Sequence, residues 1–254
     1  MTNLNRSLVI LADGQPITGY RHARLTGSDA LGLVPTFFTL RIWNLSDSDR
    51  NLLLSSGQLT VLHEDSALAF GTICDLYRET VPEGKLTTIV LSAALPLWEA
   101  PINYSVAAGE TVSETVRWLL DASGTGISLL SFPGTDPVRS RTQVFFGRAA
   151  ECITDALSAA SARSCLTPSG LCVIPSSGLP VSMTLTEKDM LEAPARTGSG
   201  RLVLRTAVTG WPLGKTVSVN WKGLTWTGLV TERSVDADNL EGNWQAGITM
   251  EVDP

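Results

Sequence analysis

The chain has 254 residues, and its 19 basic against 25 acidic residues give a net charge of −6. This length is enough to bury a sizeable core and to hold two or three small domains. The acidic balance argues against a nucleic-acid-binding surface, which needs a basic stripe to neutralise phosphates. No apolar run approaches the ~20 residues that span a bilayer, so we expect no membrane insertion.

The start of the chain predicts a product of the reducing cytoplasm. It lacks the charged start and long apolar segment of a signal peptide. The short run Leu8–Leu11 predicts a strand that enters a turn at Asp13-Gly14. Cys74 and Cys152 are expected as buried free thiols, on a strand and on a helix.

Two further cysteines, Cys165 and Cys172, flank the turn-forming segment Thr167–Gly170. A disulfide between them is geometrically conceivable, but a reducing compartment disfavours it. Zinc binding is disfavoured because the chain has no second Cys/His pair at ligand spacing.

Residues 4–97 have the pattern of β-strands. Phe37–Trp43 alternates in a way that predicts a strand with both faces partly buried. A short helix is predicted over Ser46–Leu54, with Ser46 or Asp47 as its N-cap. Pro96 and Pro101 mark the end of this unit.

The same β pattern occurs near both ends of the chain. Gly57 opens a strand and lies fourteen positions before Gly71, and Gly214 opens a strand at the same distance before Gly228. In each copy a polar loop with Glu-Gly and a final alternating strand follow, although the first apolar pair is offset by one residue between copies. Such a repeat gives one chain two equivalent β surfaces.

The middle of the chain differs from both ends. Thr111 and Glu114 form a predicted capping box that begins a helix ending at Gly124. Residues 125–141 are expected to be irregular, a second helix is predicted from about Arg148 to Ala162, and a short strand is predicted at Leu171–Ile174.

From Val181 to Val252 the β pattern returns. Glu187–Leu191 is expected to form one helical turn, and residues 192–200 a mobile loop or hinge. The predicted fold class is mainly β with α. Its domains are a β unit over 1–100, a small α+β middle domain over 101–180 and a second β unit over 181–254.

Candidate nucleotide sites are weak. Gly210–Thr216 approaches a phosphate-binding loop, but it has three residues between its glycines where the motif needs four. A strand-like segment follows instead of the helix that would hold the phosphates, and Pro212 removes one backbone amide. We predict no cofactor.

Catalytic and metal sites are not predicted either. The chain has two histidines, His22 and His63, and His63-Glu64-Asp65 is interpreted as a solvated turn. A glycosidase would need paired carboxylates. The available ones lie at helix starts or on polar helix faces, where the helix dipole and solvation explain them, namely Glu110, Glu114, Glu151 and Asp155.

Tryptophan is concentrated in the C-terminal unit, which contains Trp211, Trp221, Trp226 and Trp244. Such rings could stack on sugars. Anchoring of the core and of subunit interfaces fits better, because each ring buries ~150–250 Å².

Two segments resemble the baseplate hub proteins of tailed phages and contractile injection systems. The first runs Phe38-Thr39-Leu40-Arg41-Ile42-Trp43-Asn44-Leu45-Ser46, then Gly57, Leu59–Val61 and Phe70–Ile73. The second runs Leu213–Val219, then Thr227–Val230 and Gly242–Ala246. Between them, Val112–Leu120 and Gly147–Leu157 are similar to the helical middle of that family. The likeness is diffuse and carries no catalytic signature.

The resemblance implies two tail-tube-like β-barrel or sandwich domains that flank the helical middle. It implies a homotrimer in which six such domains match a sixfold tail tube on one side and a threefold spike on the other. Implied partners are the trimeric tail spike, the tube or a tube-initiator protein, and other baseplate proteins. Genome DNA would pass without specific binding, repelled by acidic walls. The implied location is the virion baseplate, assembled in the bacterial cytoplasm. This chain is short for the family, so we expect no additional lysozyme or receptor-binding domains.

Two alternatives remain. A tail-tube or tail-completion component would form sixfold rings without an internal repeat, and a carbohydrate-binding or wall-degrading tail module would need exposed tryptophans or a carboxylate pair. For the structural reading, the predicted interfaces are the polar loops 63–66 and 236–242 and the linker 192–200, which have no evident internal role.

Overall fold

Three groups of elements follow one another in the computed structural model, which describes residues 6–175, 180–198, 200–207 and 213–252. The first group contains seven strands and a helix. In chain order these are β1 Val9–Ala12, β2 Gln15–Ile17, β3 His22–Ala30, β4 Phe38–Trp43, α1 Asp47–Ser55, β5 Gln58–His63, β6 Ser66–Val81 and β7 Gly84–Ser92.

The middle group holds the other three helices. It consists of α2 Leu95–Glu99, β8 Pro101–Val106, α3 Val112–Ser123, β9 Leu129–Ser131, β10 Gln143–Arg148, α4 Ala149–Ser158, β11 Ala162–Thr167 and β12 Gly170–Pro175.

The last group is all β. Its strands are β13 Val181–Leu185, β14 Ala195–Thr197, β15 Arg201–Ala207, β16 Thr216–Trp221, β17 Leu224–Asp238 and β18 Trp244–Val252. The fold is therefore mainly β with a small helical middle, as the sequence predicted.

One sheet unites the first and last groups. Its strand order is β14-β15-β18-β17-β3-β4-β7-β6-β5-β1-β2, with β16 beside β17 and β13 beside β16. The two groups meet where β3 pairs antiparallel with the second half of β17, from Glu232 opposite Ala30 to Asp238 opposite Arg24. Thirteen strands thus form a continuous surface from two parts of the chain that are far apart in sequence.

The repeat predicted from glycine spacing is present in three dimensions. The order β4-β7-β6-β5 in the first group matches β15-β18-β17-β16 in the last. Gly71 and Gly228 occupy the same place in the two copies, opposite the strand that starts after Gly57 or Gly214. Three residues further on, each long strand has a bulge, at Cys74 in β6 and at Thr231 in β17.

Three apolar clusters lie beneath these elements. One fills the first group and also includes Val235, Ala237 and Trp244 from the last. The second lies in the helical middle, and the third lies in the last group. Cys165 and Ile174, from the middle hairpin, belong to this third cluster, so the middle group packs directly against the C-terminal strands.

The predicted helix ends are confirmed. The Ser46 hydroxyl accepts the Asp49 amide at the start of α1. Thr111 and Glu114 form both halves of the capping box, and α3 ends at Gly124 in the left-handed conformation.

Several predicted boundaries were wrong. The long strands β6 and β17 continue well past the segments predicted for them, because residues with one solvent-facing side look like a polar loop in the sequence. The second helix ends at Ser158, and the segment after it forms β11. Glu187–Leu191 holds a hydrogen-bonded turn, in which the Asp189 amide donates to the Thr186 carbonyl, rather than a helical turn.

Three more expectations need correction. The short helix α2, with Pro96 in its first turn, was not predicted. The segment expected to be irregular, 125–141, contains β9. The linker 192–200 contains the short strand β14. The Ser-Gly-Pro segment 176–180, whose composition also predicts a turn, lies largely outside the described residues.

Candidate assembly surface

Both histidines have structural roles. The His63 ring is buried, with Nδ1 3.0 Å from the Ser7 carbonyl oxygen and the ring edge-on to Trp244. The interpretation of His63 as part of a solvated turn was therefore wrong, although Glu64 and Asp65 are exposed. Among the residues that the structure describes, no group of three or more His, Cys, Asp or Glu side chains could hold a metal ion.

The four carboxylates considered for glycoside cleavage have different surroundings. Glu114 accepts the Thr111 amide and hydroxyl, and these hydrogen bonds lower the pKa of Glu114. Asp155 accepts the side-chain amide of Gln143 at 2.8 Å. Glu151 lies in the first turn of α4, and the Glu110 carbonyl accepts the Arg139 amide. Helix capping and loop anchoring explain the contacts of Glu114, Asp155 and Glu110.

The phosphate-loop candidate is not followed by a helix. Residues 210–212 of this segment lie outside the described residues, whereas Gly214 precedes strand β16. Gly214 has φ +76°, and a Cβ there would lie 2.6 Å from Ile174 Cδ1. Its glycine identity is explained by this close approach of the middle hairpin.

The cysteines are free. Cys165 and Cys172 lie directly opposite each other on β11 and β12, and burial raises the pKa of the Cys165 thiol to about 12. Cys152 is buried on α4 as predicted. The expectation that Cys74 is buried was wrong, because it lies exposed at the bulge of β6.

The tryptophans of the last group pack against apolar clusters. Trp244 is buried, and Trp221 and Trp226 are half-buried against the third cluster. Trp211 lies outside the described residues. The most exposed apolar side chains in the middle group are Phe146 and Val144 on β10, which are 82% and 63% exposed.

A tightly bonded seam joins the two repeats. Arg24 on β3 donates from Nε and Nη2 to the two carboxylate oxygens of Asp236 on β17. His22 Nε2 lies 3.1 Å from both oxygens of Asp238, and its ring stacks on Trp43 at 3.9 Å. The predicted interface loop 236–242 thus begins inside the molecule, at its internal seam.

The two seam carboxylates are held in the charged form. Burial raises the pKa of Asp238, but hydrogen bonds from the amides of Leu240 and Glu241 and from His22 outweigh it and leave the pKa lowered. For Asp236, burial acts in the same direction, and hydrogen bonds from Arg24 and Asn243 overcome it. Asp236 and Asp238 therefore contribute negative charges to the seam between the two repeats.

The joined sheet has one polar face. Side chains alternate along each strand, so those that point away from the apolar clusters share a second face. A hollow of about 400 Å³ lies on the part of this face formed by β3, β17, β18 and β15. Polar residues predominate among the face-directed side chains there, including Ser28, Arg205, Glu232, Ser234 and Thr249.

Among the strand edges that pair on one side only within the described residues, two correspond to the two sides of the β3–β17 contact. Beyond the bulge, Asp75–Val81 of β6 pairs with β7 on one side only. At one end of the sheet, β14 pairs with β15 on one side only, and its three residues are exposed. Unpaired edges carry free amide and carbonyl groups and are templates for pairing with another chain.

The loop 63–66 is a tight turn between β5 and β6, with Glu64 and Asp65 at positive φ. Of the three segments that sequence reasoning named as interfaces, only the linker 192–200 coincides with an unpaired edge. The edge of β6 was missed, because its sequence Asp75-Leu76-Tyr77-Arg78 carries no signal that distinguishes an open edge from a paired one.

Comparison with known proteins gives a consistent fold. The sequence matches no protein-family model and no curated protein. Solved structures do match: a tail protein from Neisseria meningitidis MC58 has a TM-score of 0.71 at 12% identity, over 97% of this chain and 96% of that one. The 43 kDa tail protein of prophage MuSo2 from Shewanella oneidensis has a TM-score of 0.68 at 13% identity, over 96% of both chains.

A third similar structure comes from a secretion system. It is an E. coli component of the type VI secretion system, described as structurally similar to the T4 bacteriophage tail proteins gp27 and gp5. Its TM-score is 0.68 at 12% identity, over 96% of this chain and 77% of that one. No helix in the described part of the chain is long and apolar enough to cross a membrane. The three structural likenesses together show that the chain has the fold of solved phage tail proteins.

Proposed function

We propose that the chain is a structural, non-enzymatic hub of a phage tail baseplate or a related injection system. Three copies form a ring of six repeats that joins a sixfold tail tube to a threefold spike and encloses a conduit for DNA. The observation that carries the proposal is the pairing of β3 with β17, because both sides of this contact between repeats have unpaired counterparts in the same sheet, the edge of β14 and the second half of β6.

The counterpart can be located residue by residue. Within the chain, Ser234 of β17 pairs with Ser28 of β3. Tyr77 lies six residues after Gly71, as Ser234 lies six residues after Gly228, so Tyr77 is the equivalent of Ser234. Strands β3 and β14 occupy the same place in the two repeats, beside β4 and β15 respectively. When the strand register is followed from Tyr77 and Ser234 across each repeat, Thr197 on β14 is the equivalent of Ser28 on β3.

A second copy therefore fits the open edge of β6. If the contact between chains repeats the contact within the chain, Tyr77 of one copy faces Thr197 of the next, and Glu79 faces Ala195. Each such contact continues the sheet across the chain boundary. Three chains then place six repeats around one axis and pair the edges of β6 and β14, which removes the aggregation hazard of these two exposed edges.

The polar face of the sheet lines the conduit in this arrangement. The opposite face is covered by α1 and by the middle hairpin, which pack on the apolar clusters. Two ring-forming units, 1–100 and 181–254, alternate around the axis, and the middle unit 101–180 lies on their covered side. The partners are a tail tube or tube-initiator protein, a trimeric spike and other baseplate proteins. The location is the virion baseplate, after assembly in the bacterial cytoplasm.

Site-directed cross-linking tests the ring. The variant carries Tyr77→Cys and Thr197→Cys, with Cys74→Ser to remove the exposed native thiol. Mild oxidation should give a ladder that ends at three chains on a non-reducing gel. The matched control replaces Thr197→Cys with Arg117→Cys, an exposed position on α3, and should give no trimer.

The mass of the native protein by light scattering discriminates the alternatives. A trimer of the 27.1 kDa chain supports the hub. A hexamer would favour a tube component and overturn the proposal. Absence of the cross-linked trimer in the Tyr77/Thr197 variant, with monomers alone at every concentration, would also overturn it.

A further inference from the structure

Charged side chains recur at equivalent positions of the two repeats on the polar face. Arg41 faces Thr88, which faces Tyr77, and Arg205 faces Gly247, which faces Ser234. Because Tyr77 and Ser234 are equivalent, Arg41 and Arg205 are equivalent too. Both are exposed.

Two acidic positions recur in the same way. Asp75 on β6 is equivalent to Glu232 on β17, each directly after its bulge, and Glu79 is equivalent to Asp236. At these recurring positions each repeat therefore presents one arginine and two carboxylates. Arg24 and Arg201 also lie on this face, but they have no arginine at the equivalent position of the other repeat and pair with Asp236 and Glu232. The neighbouring equivalent positions carry different residue types: Tyr77 corresponds to Ser234, and Thr88 corresponds to Gly247. The charged residues are therefore repeated although the residues around them are not.

We propose that the arginines form a six-membered guanidinium ring that binds the phosphodiester backbone of DNA in the conduit. This inference rests on the proposed trimer, in which six equivalent residues lie at one height around the axis. Arg41 and Arg205 alternate in this ring. The carboxylate positions Asp75/Glu232 and Glu79/Asp236 form two further rings.

The arginines are available to a ligand. Arg41 forms no ion pair with another described residue. Arg205 lies 3.6 Å from Glu192, and both side chains are more than half exposed, so this pair holds the guanidinium weakly. By contrast, Arg24 is engaged by Asp236 at 2.9 Å, which leaves it unavailable.

The chemistry of the ring suits the phosphates of a DNA backbone. A guanidinium donates two parallel hydrogen bonds to phosphate oxygens. Contacts to the backbone are independent of base sequence, and a ring of equivalent donors meets the duplex at any rotation about its axis. The neighbouring carboxylates repel the same backbone, so the ring holds DNA at one level without retaining it along the whole wall.

The test uses the cross-linked trimer described above and a fluorescent 20-base-pair duplex. Anisotropy at low salt should show binding that weakens steeply as salt rises. Arg41→Gln with Arg205→Gln should reduce the affinity at least tenfold while the trimer still forms. The matched control, Arg117→Gln with Arg141→Gln, makes the same charge change at exposed positions of the middle group and should leave the affinity within about twofold.

Each outcome decides a different point. A trimer that binds duplex equally well with and without the two arginines overturns the ring site and leaves the hub standing. Binding of poly-glutamate in preference to the duplex assigns the arginines to an acidic polypeptide and also overturns the proposal. Failure to form the trimer overturns the hub, and with it the ring.

Discussion

At the scale of single residues, two glycines hold the repeat together. A Cβ at Gly71 would lie 2.4 Å from the Ser92 carbonyl carbon, and one at Gly228 would lie 2.0 Å from the Glu251 carbonyl oxygen. We expect Gly71→Ala and Gly228→Ala each to lower the free energy of unfolding by about 2–4 kcal/mol, since the clashing atoms are backbone. Gly57→Ala is the control, because nothing lies within 4 Å of its Cβ position. Urea unfolding that shows all three variants equally stable would contradict this explanation.

The seam residues predict a dependence on pH. The pKa values of Asp236 and Asp238 are lowered in the folded chain. The stability that these two carboxylates contribute is therefore fully present above the pKa of an unperturbed Asp, near 4, and is lost as the pH falls through their pKa values in the folded chain. We expect thermal stability to fall between about pH 5 and pH 3. Asp236→Asn with Asp238→Asn should flatten that fall, whereas Glu187→Gln, at an exposed turn away from the seam, should not. An unchanged slope in the double variant would show that other carboxylates cause the acid sensitivity.

At the residue scale, predictions from the sequence were correct where the contacts join residues that are close in sequence. Ser46, Thr111, Glu114 and Gly124 were identified as helix caps because a cap depends on neighbours within a few residues. The prediction for His63 was wrong, because its ring is buried by Ser7 and Trp244 from distant parts of the chain. Partners that are remote in sequence leave no local signature.

At the scale of elements, α3 depends on its capping box. The Thr111 hydroxyl accepts the Glu114 amide, and the Glu114 carboxylate accepts the Thr111 amide. We expect Thr111→Ala to destabilise the protein by about 1 kcal/mol, measured by chemical unfolding. Thr111→Ser keeps the hydroxyl and should retain most of the stability. An equal loss in both variants would assign the effect to packing of the threonine methyl group.

The strands show why element boundaries were harder to predict than their existence. The glycine spacing revealed the hairpins that begin at Gly57 and Gly214, since the second glycine of each pair, Gly71 or Gly228, closely approaches the backbone of a neighbouring strand. The second halves of β6 and β17 are rich in charged and polar residues, among them Asp75 and Glu79 in β6 and Glu232 and Asp236 in β17. In the sequence such residues resemble a polar loop. That they form a strand depends on pairing with another strand, which involves residues remote in sequence.

At the scale of the whole molecule, the internal repeat was predictable and the seam was not. Nothing in the sequence indicates that β3 pairs with β17 more than 200 positions away, yet this pairing identifies the complementary edges. The open edge of β6 is a consequence of the same geometry. The proposed assembly surface is thus a property of the folded sheet, which explains why, of the three segments predicted as interfaces, only the linker 192–200 coincides with an unpaired edge.

Hydrogen exchange measures that edge directly. Amides of Asp75–Val81 that point away from β7 have no described strand partner in the single chain, whereas those of Glu232–Asp238 are flanked by both β18 and β3. In the reduced and diluted Cys-pair protein we expect the first segment to exchange quickly and the second slowly, because amides that lack a strand partner open without disrupting the sheet. In the cross-linked trimer the first segment should become at least tenfold slower while the second is unchanged. Equal protection of Asp75–Val81 in both states would place the contact between chains elsewhere, whatever the mass of the assembly.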